Sequence, residues 1–254
     1  VPAALMGFLG RLFGSKEQAM PPADLSLLRC DVHSHFIPGI DDGAQTLEQS
    51  MELLTSMREL GYRKVITTPH NMADGYKNTP EIILGGLEKL RREVARTGLD
   101  IEVDAAAEYY LDHELEKKVL ERTVLTFGDN LLLFELPFIS EPAVLLSVVF
   151  QMQTQGYRPV LAHPERYAFW HNDYAKYERL KERGVLFQLN LVALSGAYGP
   201  MAKEIAERLI DDGHYELLGS DCHNMNHVQA IHNTLTRPYL HKLIGSGKLL
   251  NAKL

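Results

Sequence analysis

From Leu28 onward, short apolar runs alternate with segments whose apolar residues recur every three or four positions, and no low-complexity linker divides the chain. That rhythm predicts βα units wound around a parallel sheet. Thr46, with Gln49 three residues later, forms a capping box, and Leu47, Met51, Leu54, Met57 and Leu60 follow at helical spacing up to Gly61. A second helix is expected from Thr79-Pro80 through Ile83, Leu87, Leu90 and Val94 to Gly98. Further helices are expected over residues 142–155, 174–183 and 201–210.

Strands are expected at residues 30–33 and within "KVITTPH", "IEVDAAAEYY", "LLLFELP", "RPVLAHPE", "VLFQLN" and "YELLGSDCHN", seven in all. Apolar runs with β-branched members and a polar exit are what buried parallel strands require. Seven strands with one helix layer fit a closed or nearly closed βα barrel better than an open sheet, and a doubly wound sheet is the alternative. Residues 28–254 are expected to form this one domain behind an N-terminal arm, residues 1–27. The arm carries Phe8, Leu9, Leu12 and Phe13 but Arg11 interrupts it, so neither a cleaved signal nor a membrane span is expected. A weak membrane or partner contact through an amphipathic arm competes with loose docking on the domain.

Composition narrows the classes. Of 254 residues, 45% are hydrophobic and 23% charged, as in an ordinary soluble protein, and the net charge of −7 argues against a general nucleic-acid binder. Cys30 and Cys222 are the only cysteines and no CxxC pair occurs, which fits a reducing compartment and predicts a cytoplasmic protein.

The chemistry lies at the strand exits. Strand 1 leads into His33, His35 and Asp42, strand 2 into His70, strand 3 into Glu108, strand 4 into Glu135, strand 5 into His163, and strand 7 into Asp221 and His223. In a βα barrel these exits converge on one mouth. Each residue alone has an ordinary structural role open to it, such as a helix cap or a hydrogen-bonded histidine. Nine together would repel or desolvate at great cost unless cations neutralise them. Mixed imidazole and carboxylate donors favour Zn, Mn or Fe over Ca or Mg, and at about four protein ligands per ion they would serve two or three metals.

The ordered set "DVHSH", "TTPH", "AAEYY", "FELP", "AHPERY" and "SDCHN" resembles the PHP (polymerase and histidinol phosphatase) superfamily, and within it the capsule and exopolysaccharide branch of manganese-dependent protein-tyrosine phosphatases. The resemblance implies a distorted (β/α)7 barrel with up to three Mn²⁺ ions, Fe or Zn being possible alternatives. It implies one ion on His33, His35, Glu108 and Asp221, a second on Glu108, Glu135 and His163, and a third on Asp42, His70 and His223, with Asp31 in the motif but not a ligand. Arg166 in "HPERY" stands where the family places a phosphate-binding, catalytic arginine, against a salt bridge as its structural reading. Two departures are visible. "NMADGY" follows His70 where basic residues are frequent, leaving Lys77 as the nearest substrate-binding cation, and "MNHVQ" follows "SDCHN" where an arginine is frequent.

The expected reaction is hydrolysis of a phosphomonoester by water that metal coordination has acidified. The implied partner is a phosphotyrosine protein, the tyrosine-rich tail of a bacterial tyrosine kinase of polysaccharide export. A thiol mechanism needs Cys-x5-Arg, but Val228 and Phe36 stand six residues after Cys222 and Cys30. A histidinol-phosphatase-like small-molecule enzyme and a non-catalytic metal-binding barrel are the alternatives. Tyr109, Tyr110, Phe169 and Trp170 are candidates for a rim that receives a tyrosyl ring, or else for packing beneath loops.

Overall fold

The helix signals act as expected in the computed structural model, which describes residues 20–254. Thr46 accepts from the Gln49 N–H at 3.3 Å and starts helix α1 (Leu47–Glu59), although Gln49 reaches back to the Gln45 N–H rather than to Thr46. Thr79 caps α2 (Pro80–Thr97), and Gly98 ends it in the left-handed conformation. The later helices are α3 (Leu115–Glu121), α4 (Leu145–Thr154), α5 (Ala175–Glu182), α6 (Pro200–Asp211), α7 (Met225–Thr234) and α8 (Pro238–Gly245). Helices α3, α7 and α8 add to the five that the sequence pattern predicts, and with them every strand segment is followed by a helix.

The seven expected strand segments appear as nine short parallel strands: β1 (Cys30–Asp31), β2 (Lys64–Thr67), β3 (His70–Asn71), β4 (Glu102–Ala105), β5 (Glu108–Tyr110), β6 (Leu131–Glu135), β7 (Arg158–Ala162), β8 (Leu186–Asn190) and β9 (Tyr215–Gly219). The second and third segments each break in two. Pro69 has no N–H to give, so the ladder through β1, β2 and β4 stops, and a second sheet runs β3-β5-β6-β7-β8-β9. The result is a pair of abutting parallel sheets, which is the distortion of the expected barrel.

The last segment returns to the first at both ends. Near the mouth, Ser34 pairs with Cys222, with the His35 N–H donating to the Cys222 carbonyl at 3.0 Å and the Asp221 N–H to the His33 carbonyl at 2.8 Å. At the opposite end Asn251 fills the gap: its Nδ2 donates to the carbonyls of Cys30 and Leu218, and its Oδ1 accepts from the Leu218 N–H. Buried Asp31 holds the turn between these contacts by accepting from both the N–H and the hydroxyl of Ser220.

Two cores result. A larger one lies between strands and helices, while a smaller one gathers Cys30, Val32, Ile66, Ala106, Leu131, Leu133, Val160, Ala162 and Leu217 from the strands and the residues just past them. Side chains alternate along a strand, so the positions that continue this inner face toward the exits include His70, Glu108, Glu135 and Asp221. An apolar floor thus becomes a polar mouth within two to four residues.

For the N-terminal arm, the Met20 and Ala23 N–H groups donate to the carbonyls of Thr236 and Leu235, and Leu25 is buried. Residues 1–19, and with them most of the suggested membrane or partner contact, lie outside the described residues.

Candidate metal centre

All nine residues expected as ligands meet at the mouth. Four overlapping groups have ligand-capable atoms within 4.8 Å of one another: His35, Asp42, His70 and His223; His33, His35 and Glu108; His33, His163 and Asp221; and His70, Glu108 and Glu135. Glu108 sits at their junction. Its Oε2 is 3.0 Å from His70 Nδ1 and 3.3 Å from His33 Nε2, and its Oε1 is 3.0 Å from His163 Nε2. Asp221 Oδ1 lies 3.3 and 3.4 Å from the Nε2 atoms of His33 and His35, and Asp42 Oδ1 lies 3.4 Å from both His70 Nε2 and His223 Nε2.

The grouping differs in detail from the expected partition. His70 stands between two sets, its Nε2 toward Asp42 and its Nδ1 toward Glu108 and Glu135. His163 is nearer Glu108 than Glu135, at 3.0 against 3.9 Å. Both His163 and Asp221 have positive φ, 35° and 49°, so their backbones leave the strand conformation at the point where they face the centre.

Several supporting residues were not singled out from the sequence. Asp41, not the neighbouring Asp42, lies 2.8 Å from His35 Nδ1 and also accepts from the Gly43 and His70 N–H groups. Gln188 Oε1 lies 2.8 Å from His33 Nδ1, and the Asp221 carbonyl lies 2.9 Å from His223 Nδ1. Each contact engages Nδ1 and leaves Nε2 to the centre, as metal-bound imidazoles require. A lone polar position in the apolar run "VLFQLN" was the available signal for Gln188; nothing local distinguishes Asp41 from Asp42.

The electrostatics are those of buried carboxylates demanding positive charge. Burial alone would lower the histidines, but Glu108 and Asp221 raise His33 to about 10, and Glu108 and Glu135 raise His70 to about 12. Burial opposes ionisation of Glu108 and Asp221, yet His33 and other cationic neighbours hold both well below the carboxylate range. Burial lowers His163 to about 4, and Arg166 adds to the effect. His70 Nδ1 and Glu108 Oε2 are buried and, although 3.0 Å apart, are aligned for a hydrogen bond neither with each other nor with any other atom of the described residues. Unpartnered nitrogen and oxygen donors aimed at one point, backed by oriented imidazoles, fit divalent cations with mixed N and O preference.

Above the cluster opens a cavity of about 570 Å³, lined in part by Tyr76, Tyr110, Phe138, Arg166, Tyr198 and His227. Arg166 Nη1 donates to Asp221 Oδ2 at 2.9 Å, so the arginine is at once ion-paired and at the mouth. Lys77 instead lines a neighbouring cavity with Thr79 and Lys117, and Met72 borders both. Of the four aromatic candidates only Tyr110 lines the mouth: Tyr109 and Trp170 are buried, Trp170 donating to Glu141, and Phe169 stacks on Tyr167. Tyr76, stacked on His70, and Phe138 supply the rim instead.

Residues 29–247 match the family model described as "Capsular polysaccharide synthesis, CpsB/CapC". The chain is 29% identical over 217 residues to the tyrosine-protein phosphatase YwqE of Bacillus subtilis, covering 85% of each chain. It is 23% identical over 219 residues to the tyrosine-protein phosphatase CpsB of Streptococcus pneumoniae, covering 82% of this chain and 90% of that one. Among solved structures it superimposes, at TM-score 0.76 and 27% identity over 88% of this chain and 90% of the other, on one of the crystal structures of YwqE from Bacillus subtilis and CpsB from Streptococcus pneumoniae, described as unique metal-dependent tyrosine phosphatases.

Proposed function

The chain belongs to the CpsB/CapC family of capsular polysaccharide synthesis, and from that premise we propose that it is a metal-dependent protein-tyrosine phosphatase working at the mouth of its barrel. The observation that carries this reading is the convergence of nine histidine and carboxylate side chains at one mouth, with Glu108 among them in contact with His33, His35, His70 and His163. His33, His35, Glu108 and Asp221 would hold one ion, with Glu135, His163, His70, Asp42 and His223 serving the others, up to three Mn²⁺ in all. Bound cations supply positive charge against the phosphoryl group and acidify water at the site.

The chain's own residues do the rest. Asp41 and Gln188 fix the tautomer and aim of His35 and His33. Arg166 keeps further N–H donors for a phosphoryl oxygen beside the one given to Asp221. Tyr76 and Phe138 border the entrance where a tyrosyl ring would lie. The substrate we propose is a phosphotyrosine protein, the tyrosine-rich tail of a bacterial tyrosine kinase of polysaccharide export, met in the cytoplasm. No described helix is long and apolar enough to cross a membrane.

Stripping the purified protein with a strong chelator is expected to abolish hydrolysis of a phosphotyrosine peptide, and Mn²⁺ to restore it. Full turnover by metal-free protein would overturn the reading. Faster turnover of histidinol phosphate than of the peptide would move the substrate to the small-molecule class.

A further inference from the structure

The sixth strand segment contributes no candidate ligand, yet its exit is built into the site. Asn190, the last residue of β8, is buried, and its side chain is fully committed. Its Oδ1 accepts from the Val192 N–H at 3.2 Å, which fixes the amide orientation. Its Nδ2 donates to Asp221 Oδ2 at 2.7 Å and to the Tyr198 hydroxyl oxygen at 3.0 Å. Its own N–H donates to buried Glu165, whose other oxygen accepts from the Tyr215 hydroxyl. Asn190 therefore ties a candidate metal ligand to an aromatic ring.

That ring lies against Arg166. The guanidinium carbon is 4.3 Å from the centroid of Tyr198 and 4.8 Å from that of Phe138, so it is stacked on both rings while Nη1 holds Asp221. Tyr198 is presented between Gly196 and Gly199, at φ 86° and 93°. Gly199, with ψ 165°, occupies a region open essentially to glycine alone. Stacking restrains a flexible arginine without using its N–H groups, so the restraint leaves donors for a ligand.

We infer that Tyr198 and Asn190 are positioning residues that hold the Arg166 guanidinium over the metal-ligand cluster as a phosphate-binding group, an inference that rests on the phosphatase reading for its substrate. The ring of Tyr198 supplies the restraint, and its hydroxyl serves to anchor that ring to Asn190. The role of Tyr198 is thus in phosphate affinity rather than in holding metal, whereas Asn190 also touches a candidate ligand.

The test is binding of inorganic phosphate to the Mn²⁺-loaded protein by calorimetry, beside phosphotyrosine-peptide kinetics and metal content. Arg166→Ala is expected to lower kcat/KM on the order of ten- to a hundredfold at unchanged metal content. Tyr198→Ala should weaken phosphate binding and raise KM about three- to tenfold, with kcat changed less than KM. Tyr198→Phe should recover most of that loss. The double variant should be no worse than Arg166→Ala, because both changes remove one unit. Asn190→Ala should weaken phosphate binding about as little as Tyr198→Phe does, because both remove the same anchor of the ring, and any further loss should track metal content through the Asp221 contact. Wild-type phosphate affinity in Tyr198→Ala, equal damage from Tyr198→Phe, or additive losses in the double variant would each overturn the inference while leaving the phosphatase reading intact. Absent peptide turnover by the wild type, with phosphate binding still weakened by Tyr198→Ala, would fell the phosphatase reading and keep the clamp.

Discussion

Nδ1 of His35 and Oδ2 of Asp41 lie 2.8 Å apart in the buried wall of the mouth, and this contact leaves His35 Nε2 to the centre. Asp41 also receives the N–H groups of Gly43 and His70, so one carboxylate sets two candidate ligands. Asp41→Ala is therefore expected to lower metal affinity about 10- to 100-fold, a loss typical of groups that orient metal ligands. Titration of metal into chelated protein measures it; unchanged affinity would make the contact incidental.

Gly43 is required by a close approach rather than by its φ. A Cβ there would stand 2.1 Å from the His35 carbonyl oxygen and 2.4 Å from the His35 Cβ. Backbone must move, so Gly43→Ala is expected to cost about 1–3 kcal/mol of stability and to displace His35. A lowered Tm together with reduced metal content is the expected result, whereas a wild-type thermal transition would contradict it.

Metal loading should release protons. With His33 raised to about 10 and His70 to about 12 by their carboxylate neighbours, both imidazoles are protonated at neutral pH in the metal-free protein and must be neutral as ligands. Calorimetry of Mn²⁺ binding at pH 7 in buffers of different ionisation enthalpy should show release of about two protons, and affinity should fall as pH falls. The linkage in metal-free protein has the opposite sense. Folded values above the unfolded value of about 6.5 stabilise the fold fully below that pH, and the contribution disappears as pH rises through 10 to 12. Buffer-independent binding heats would show that no such protons are held.

Cys222 lies between two candidate ligands but is buried, and burial pushes its thiol well above the ordinary range. A nucleophile needs the reverse shift. Cys222→Ser is expected to keep most turnover; loss of several orders of magnitude at full metal content would reinstate a thiol mechanism.

Local chemistry made much of this molecule legible from sequence alone. The seven strand segments, and the helices that complete five of the seven βα units, follow from helix caps such as Thr46 and Thr79 and from apolar runs, all decided within a few residues. The placement of His70, Glu108, Glu135 and Asp221 follows from the period-two continuation of an apolar inner face, so their convergence was readable once a barrel was assumed. Long-range geometry decided the rest. Asp41 and Asp42 are chemically alike, and only the fold turns one to His35 and the other to His70 and His223. Lys77 follows Tyr76 in sequence, yet the two line different cavities because the chain between Met72 and Asn78 folds back on itself. Gln188, Asn190 and Tyr198 join the site across separations of 155, 31 and 32 residues, to His33, Asp221 and Arg166 respectively. No periodicity encodes such contacts, since they depend on which strand exits become neighbours when the chain closes on itself.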